Sequence, residues 1–314
     1  MNKTTLPFSK ISKSDVKIAG GKGASLGEMI QNKIPVPNGF VILAGAFDRF
    51  LTETDLNVEV ESLFNKINYK NINSVDKASN IIRDLIHDAK MPKDLQFEIL
   101  SEFKKLKSKF VAVRSSATAE DSSLASWAGE LETYLNTTEK NLLGKVKQCW
   151  SSLFTPRAIF YRFEKGMRNS KVSVAVVIQS MVQSEVSGIT FTVHPVTKNK
   201  NQMIIEAGFG LGEAIVSGQI TPDSYVIDKK NWNIVDINIA NQQKMLMKKG
   251  QLGNTWSLVA KNKQGKQKLN EKQIIELAKI CVQIEKHYGK PQDIEWAFVK
   301  QKFYITQSRP ITTL

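Results

Sequence analysis

The chain has 314 residues, 41% of them hydrophobic, and 44 basic against 30 acidic side chains give a formal charge of +14. That is enough apolar material for two ordinary domains or two lobes around a ligand, while apolar stretches such as Val172 to Ile178 fall far short of the roughly 20 residues of a membrane helix. The polar start Met1 to Ser14 lacks the apolar segment of a secretion signal, and the only two cysteines, Cys149 and Cys281, have neither disulfide-framework nor CxxC spacing. A cytoplasmic protein with reduced, packed thiols and no membrane partner is expected.

The positive charge would suit a polyanion. Its lysines, however, lie in short mixed clusters such as Lys104, Lys105, Lys107 and Lys109, and no nucleic-acid-binding signature accompanies them. The expectation is a solvated surface and no nucleic acid partner.

In chain order, Gly20-Gly21-Lys22-Gly23 precedes a helical stretch, Ala24 to Gln31, which ends before a turn carrying Pro35, Pro37 and Gly39. Phe40 to Leu43 reads as a short buried strand. From Ala46 to about Phe110 the pattern is mainly helical, broken near Met91-Pro92. Val111 to Val113 reads as a strand ending at Arg114, with Ser115 to Asp121 expected to form a polar loop. Leu142 to Phe163 returns to helix, and Val172 to Met181 is a β-branched strand buried on both faces. Strands then alternate with turns: Gly188 to Val193, Met203 to Ala207, Tyr225 to Asp228 and Ile234 to Ile239. Lys248 to Asn270 reads as a polar segment, Glu271 to Tyr288 as an amphipathic helix, and Ile294 to Val299 with Phe303 to Gln307 as a closing hairpin. The mixture predicts an α+β or α/β protein with two lobes.

The GGKG turn has the makings of a phosphate site: glycines permit close backbone approach, a helix start offers N–H groups, and Lys22 adds charge. It is not a P-loop, because Gly23 follows Lys22 where Ser or Thr is required. A plain helix start explains these residues equally well. The run Gly208 to Glu213 looks like a dinucleotide fingerprint but lacks the third glycine; it is either a loop passing close to a ligand or a tight strand-to-helix turn.

In the closing hairpin, side chains alternate between faces. With Lys300-Gln301-Lys302 as the turn, Glu295 falls opposite Gln307 and Asp293 opposite Arg309, gathering two carboxylates, an amide and a guanidinium on one patch. Carboxylates suit magnesium and an arginine fork suits phosphate. An ordinary cross-strand Asp293–Arg309 ion pair is the competing explanation.

Taken together, GGKGASLGEM at Gly20 to Met29, IPVPNGF at Ile34 to Phe40, AVRSSATAEDSSLASWAGELETYLN at Ala112 to Asn136, EAGFGLGEAIVSG at Glu206 to Gly218, and PQDIEW through ITQSRPITTL at the end resemble the nucleotide-binding domain of the phosphoenolpyruvate synthase and pyruvate phosphate dikinase family. They look most similar to its rifampin phosphotransferase branch. The resemblance implies an α+β ATP-grasp fold whose two lobes, residues 1–182 and 183–314, enclose ATP and Mg2+.

It further implies Lys22 and Arg114 on the phosphates, Gly129 and Thr133 in a loop covering the nucleotide, and Gln179 beside the adenine. Glu295 and Gln307 would hold magnesium with Asp293 nearby, and Arg309 would neutralise charge on the transferred phosphates. Lys22, Arg114 and Arg309 form the implied catalytic set. In phosphoenolpyruvate synthases the β-phosphate of ATP passes to a histidine on a swivelling domain. None of His87, His194 or His287 lies in that histidine's GG-x-[ST]-H setting, so the resemblance implies a phosphohistidine domain or subunit in trans and a small-molecule acceptor bound elsewhere. His194 stands where the family commonly has Asp or Asn, and Trp127 where it commonly has Phe. A noncatalytic nucleotide-binding or regulatory protein is the alternative expectation.

Overall fold

A computed structural model describes residues 3–118, 132–167, 172–250 and 253–312. The fold is α+β, with antiparallel sheets in two compact units: residues 1–28 with 38–181, and residues 29–37 with 182–314.

The first unit contains β1 (Thr5–Pro7), α1 (Val16–Gln31, of which 16–28 belong to this unit), β2 (Gly39–Ile42), α2 (Ala44–Glu53), α3 (Leu56–Asn65), α4 (Ile72–Asp88) and α5 (Lys93–Lys105). It continues with β3 (Val111–Ala117), β4 (Thr133–Thr137), α6 (Glu139–Ser151), α7 (Pro156–Glu164) and β5 (Val174–Ser180). Its five strands run in the order β1-β2-β5-β3-β4. Alternation decides what each face carries. Phe40, Ile42, Val111, Val113, Ala117, Val174, Val176 and Ile178 point into one core with the helices, where Trp150 stacks on Phe50 at 5.0 Å between ring centroids. Arg114, Ser116 and Gln179, at alternate positions, belong to the opposite face, where Gly23 of α1 approaches Val41.

Three expectations change in this unit. The strand after Val111 does not stop at Arg114 but runs to Ala117, and all seven of its residues are buried. The hydroxyls that suggested a loop are satisfied inside the sheet: Ser115 Oγ donates to the Glu132 carbonyl at 2.9 Å, and Ser116 Oγ accepts from the Lys22 N–H at 3.1 Å. The helix around Lys22 begins earlier than expected, at Val16, with a non-helical Gly20 at φ 68°. The stretch 142–163 is two helices, because Thr155 caps the Ala158 N–H and Pro156 occupies the first turn of α7.

The second unit contains β6 (Val186–Phe191), β7 (Gln202–Phe209), the single turn α8 (Glu213–Val216), β8 (Asp223–Asp228), β9 (Asn233–Asn238), β10 (Lys244–Lys248) and β11 (Asn254–Leu258). α9 (Glu271–Tyr288), β12 (Gln292–Val299) and β13 (Lys302–Pro310) follow. Six strands form one sheet in the order β13-β12-β6-β7-β8-β9, while β10 and β11 pair separately. That small hairpin lies partly in the segment expected to be merely polar; Leu246 on it is buried. α9 has the expected bounds, set by the Asn270–Gln273 capping box and by Gly289 at φ 64° after its end.

The closing hairpin has the expected pairs through a different construction. Its turn is two residues, Lys300 and Gln301, both at positive φ. Val299 therefore pairs with Lys302 and Trp296 with Ile305. A register shift beyond Trp296 then lets Glu295 pair with Gln307 and Asp293 with Arg309. The extra residue reverses the alternation of β13: Phe303 and Ile305 share a face with Trp296, whereas Gln307 and Arg309 share one with Glu295. On the opposite edge of β13, the Ile305 N–H donates to the Pro35 carbonyl at 2.8 Å, which ties the 29–37 segment to this unit.

Candidate functional site

In the first unit, Gly20 is where α1 meets β3. A Cβ there would stand 2.1 Å from Ser116 Oγ and 2.5 Å from the Ser116 carbonyl oxygen, so only glycine admits both the contact and the left-handed backbone. Ser116 thereby acts on the α1 turn as a cap reaching in from a neighbouring strand: its oxygen takes the Lys22 N–H and, at a longer 3.5 Å, that of Gly23. These two amides are therefore engaged by the protein, and what the turn presents is the half-buried Lys22 side chain.

Arg114 is 7% exposed and donates from Nη1 to Gln179 Oε1 at 3.3 Å. Gln179 is 3% exposed, and its Nε2 finds no hydrogen-bond partner among the described residues. Thr133 pairs with Arg114 across β3 and β4 and is exposed. Gly129 and Trp127 lie outside the described residues. A buried cation, a buried amide with an open donor and a nearby lysine form a setting that an anionic, hydrogen-bonding ligand would complete. An unpaired buried donor is one that a hydrogen-bonding ligand such as a nucleotide would satisfy.

In the second unit, Arg309 grips Asp293 through Nε at 2.9 Å and Nη2 at 2.7 Å, both to Oδ2. The ordinary ion pair weighed from the sequence is thus present, with the arginine side chain 43% exposed and the aspartate 14%. Gln307 Nε2 donates to Glu295 Oε1 at 3.1 Å; its amide oxygen is an acceptor of the kind a cation binds.

Glu206 joins the same face. It pairs with Ile189, which pairs with Glu295 across β7, β6 and β12. Burial pushes its carboxyl above the usual range, and the nearby Asp293 charge adds to the rise. The sequence reading passed over Glu206, although it opens the EAGFGLGE run; the only available signal was its place in the alternation of β7. No cluster of three or more His, Cys, Asp or Glu side chains able to hold a metal occurs among the described residues. Magnesium does not require one. It binds through one or two carboxylates and keeps substrate phosphates and water as its other ligands, and the oxygens of Glu295, Gln307 and Asp293 fit that donor set.

The glycine run is a tight turn rather than an open loop. Gly210, at φ 90°, donates to the Glu185 carbonyl and accepts from Ser184 Oγ and Ser187 Oγ. The Phe209 N–H and carbonyl are both held by the Gln242 amide, and the Leu211 N–H by the Leu246 carbonyl. Behind it, the fully buried Lys268–Asp223 pair at 2.7 Å anchors Ala240 and Tyr225.

The three histidines have local partners. His87 Nε2 meets Ser151 Oγ at 2.9 Å, and His287 Nε2 meets Asn32 Nδ2 at 3.4 Å. His194 Nδ1 accepts from the N–H groups of Val196 and Thr197 at 3.3 and 3.2 Å, the role of an Asp or Asn oxygen in the same kind of turn. Burial holds both thiols in the neutral form, pushing Cys281 up to about 12 and Cys149 higher still.

Residues 16–314 match the pyruvate phosphate dikinase AMP/ATP-binding domain family. The chain belongs to this family. The α+β architecture agrees with the family's ATP-grasp domain, and membership implies ATP binding. The chain is similar to a probable phosphoenolpyruvate synthase of Methanocaldococcus jannaschii, 46% identical over 313 residues, covering 97% of this chain and 26% of that protein. One from Archaeoglobus fulgidus is 47% identical over 311 residues, with 97% of this chain and 41% of the relative covered. Rifampicin phosphotransferase of Bacillus cereus is 41% identical over 321 residues, covering 100% of this chain and 36% of that enzyme. The similarity to these synthases exceeds that to the phosphotransferase, the reverse of the branch expected from the motifs. The chain spans less than half the length of each of these three relatives. Among the described residues no helix is long and apolar enough to cross a membrane.

Proposed function

We propose that this chain is the ATP-binding phosphodonor module of a dikinase-type phosphotransferase, passing the β-phosphate of ATP to a histidine on a domain or chain outside it. The observation that carries this reading is the pairing of Glu295 with Gln307 and of Asp293 with Arg309 on one face of the β12–β13 hairpin, in a chain matching the family's nucleotide-binding domain over residues 16–314.

Each compact unit carries residues suited to ATP. Lys22 and Arg114 supply positive charge to the phosphates, and Gln179 meets the base. Thr133 belongs to the segment that covers the nucleotide. Glu295 and Gln307, with Asp293 beside them, would hold Mg2+, which when bound neutralises phosphate charge and orients the chain of phosphates. Glu206 adds a fourth polar oxygen donor group to that face. Arg309, partly exposed beside Asp293, can exchange its carboxylate for phosphate oxygens, because its planar fork matches either. Donors aimed where charge develops stabilise the transfer without rearranging.

The test is to supply ATP, magnesium and, in trans, the remainder of the Archaeoglobus fulgidus relative, and to follow AMP, inorganic phosphate and labelled histidine. Stoichiometric AMP and a phosphorylated histidine support the module. ATP binding with no AMP under these conditions would favour a nucleotide-binding protein without phosphotransfer.

A further inference from the structure

Arg114 does something to Gln179 that a phosphate ligand need not do. A guanidinium has five donors and no acceptor, so the amide atom 3.3 Å from Arg114 Nη1 is the carbonyl oxygen, whatever the general ambiguity of amide ends. The NH2 therefore faces away from Arg114. It is buried, and no partner for it exists among the described residues. The residues paired with Gln179 on its two flanking strands are Ala112 and Gly39, neither of which brings a polar side chain to it. Buried amide donors are rarely left unpaired, and an acceptor on a bound ligand would satisfy this one.

We propose that Arg114 is a positioning residue for base recognition: by holding the Gln179 oxygen, it fixes this side chain as a pure donor, so the bound purine must present a hydrogen-bond acceptor at that point. The inference rests on the ATP reading above and adds to it. One arginine then serves both the phosphates and, through Gln179, the base. A ring nitrogen of adenine (N1, N3 or N7) meets the requirement, whereas its exocyclic amino group does not.

The experiment compares ATP with 1-deaza-, 3-deaza- and 7-deaza-ATP, in which each acceptor nitrogen in turn becomes C–H, and repeats the comparison with the corresponding nucleosides, which carry no phosphate. Binding is measured on the unmodified chain and on Gln179→Leu, Arg114→Met and Arg114→Lys, each checked for folding by circular dichroism. On the unmodified chain one analogue should bind roughly tenfold more weakly than its parent, the loss of one well-placed bond. The penalty should vanish in Gln179→Leu and in Arg114→Met. It should persist in Arg114→Lys, because an ammonium is also donor-only. Should Arg114→Met fail to fold, Arg114→Lys and Gln179→Leu carry the test. Equal binding of all three analogues alongside normal ATP binding overturns the inference while leaving the ATP reading intact, and so does an unchanged penalty in Arg114→Met. Failure of ATP and adenosine alike to bind overturns both.

Discussion

Replacing Gly20 with alanine should damage the first unit more than any other single methyl added to α1's N-terminal half. The new Cβ would be placed 2.1 Å from Ser116 Oγ, 2.5 Å from the Ser116 carbonyl oxygen and 2.7 Å from its carbonyl carbon. Two of these three atoms are backbone, so no side-chain rotation relieves the clash. An alanine at φ 68°, ψ 169°, a region essentially confined to glycine, costs about 1–3 kcal/mol, and moving Ser116 away strips the part-buried Lys22 N–H of its acceptor, about 1–3 kcal/mol. The expected loss is about 2–6 kcal/mol. Gly144, in the middle of α6 with nothing within 4 Å of its added Cβ, is the matched control: Gly144→Ala should gain about 0.5–1 kcal/mol. Because two units need not unfold together, the assay is urea unfolding combined with hydrogen exchange over residues 16–28 and 111–117. Gly20→Ala should exchange faster in both segments and unfold earlier. Stability within about 0.5 kcal/mol of the parent, with protection unchanged, would refute the account of this junction.

Other substitutions probe separate parts of the molecule. Glu206→Gln should stabilise the second unit near pH 7, because the folded carboxyl titrates above its unfolded value and ionisation therefore opposes folding. That gain should disappear below about pH 4, where the unfolded carboxyl is protonated too, and thermal unfolding at the two pH values shows it. The same variant should weaken ATP binding in the presence of magnesium, which isothermal calorimetry reads. His194→Asn should leave the 194–199 turn unchanged, since an amide oxygen can accept from Val196 and Thr197 as Nδ1 does; His194→Leu should cost about 1 kcal/mol in unfolding experiments. Burial and the neighbouring Arg83 and Lys147 hold His87 below its ordinary value. The stability it supports is therefore present above about pH 6.5 and lost as the pH falls below that. Denaturation midpoints at pH 7.5 and 5.5 should differ less in His87→Gln than in the parent.

Much of the fold was legible where local signals and packing agree. α9 spans Glu271–Tyr288 because a capping box at Asn270 and the left-handed Gly289 mark both ends in the residues themselves. β5 could be read as buried on both faces from its run of β-branched residues. Ser115 and Ser116 misled because polarity argues for a loop only when partners are absent, and theirs come from Glu132 and Lys22, far away in sequence. The pairing of Glu295 with Gln307 was legible in outcome but not in construction. A three-residue turn with unbroken alternation and a two-residue turn followed by an extra residue give the same two pairs, yet only the second sends Phe303 and Ile305 to the core. Glu206 escaped notice because its face is defined by pairing across three strands, which no local pattern contains. The β10–β11 hairpin was hidden among lysines, its one deeply buried residue, Leu246, being too little for a periodic signal.

The most direct test of the central claim is calorimetry of ATP binding to the chain and to Glu295→Ala, each with and without magnesium. The account predicts binding that magnesium strengthens, weakened by roughly tenfold or more in Glu295→Ala, about 1.4 kcal/mol per decade, with the magnesium dependence reduced. Absence of ATP binding at every magnesium concentration, or binding indifferent to both magnesium and Glu295, would contradict it.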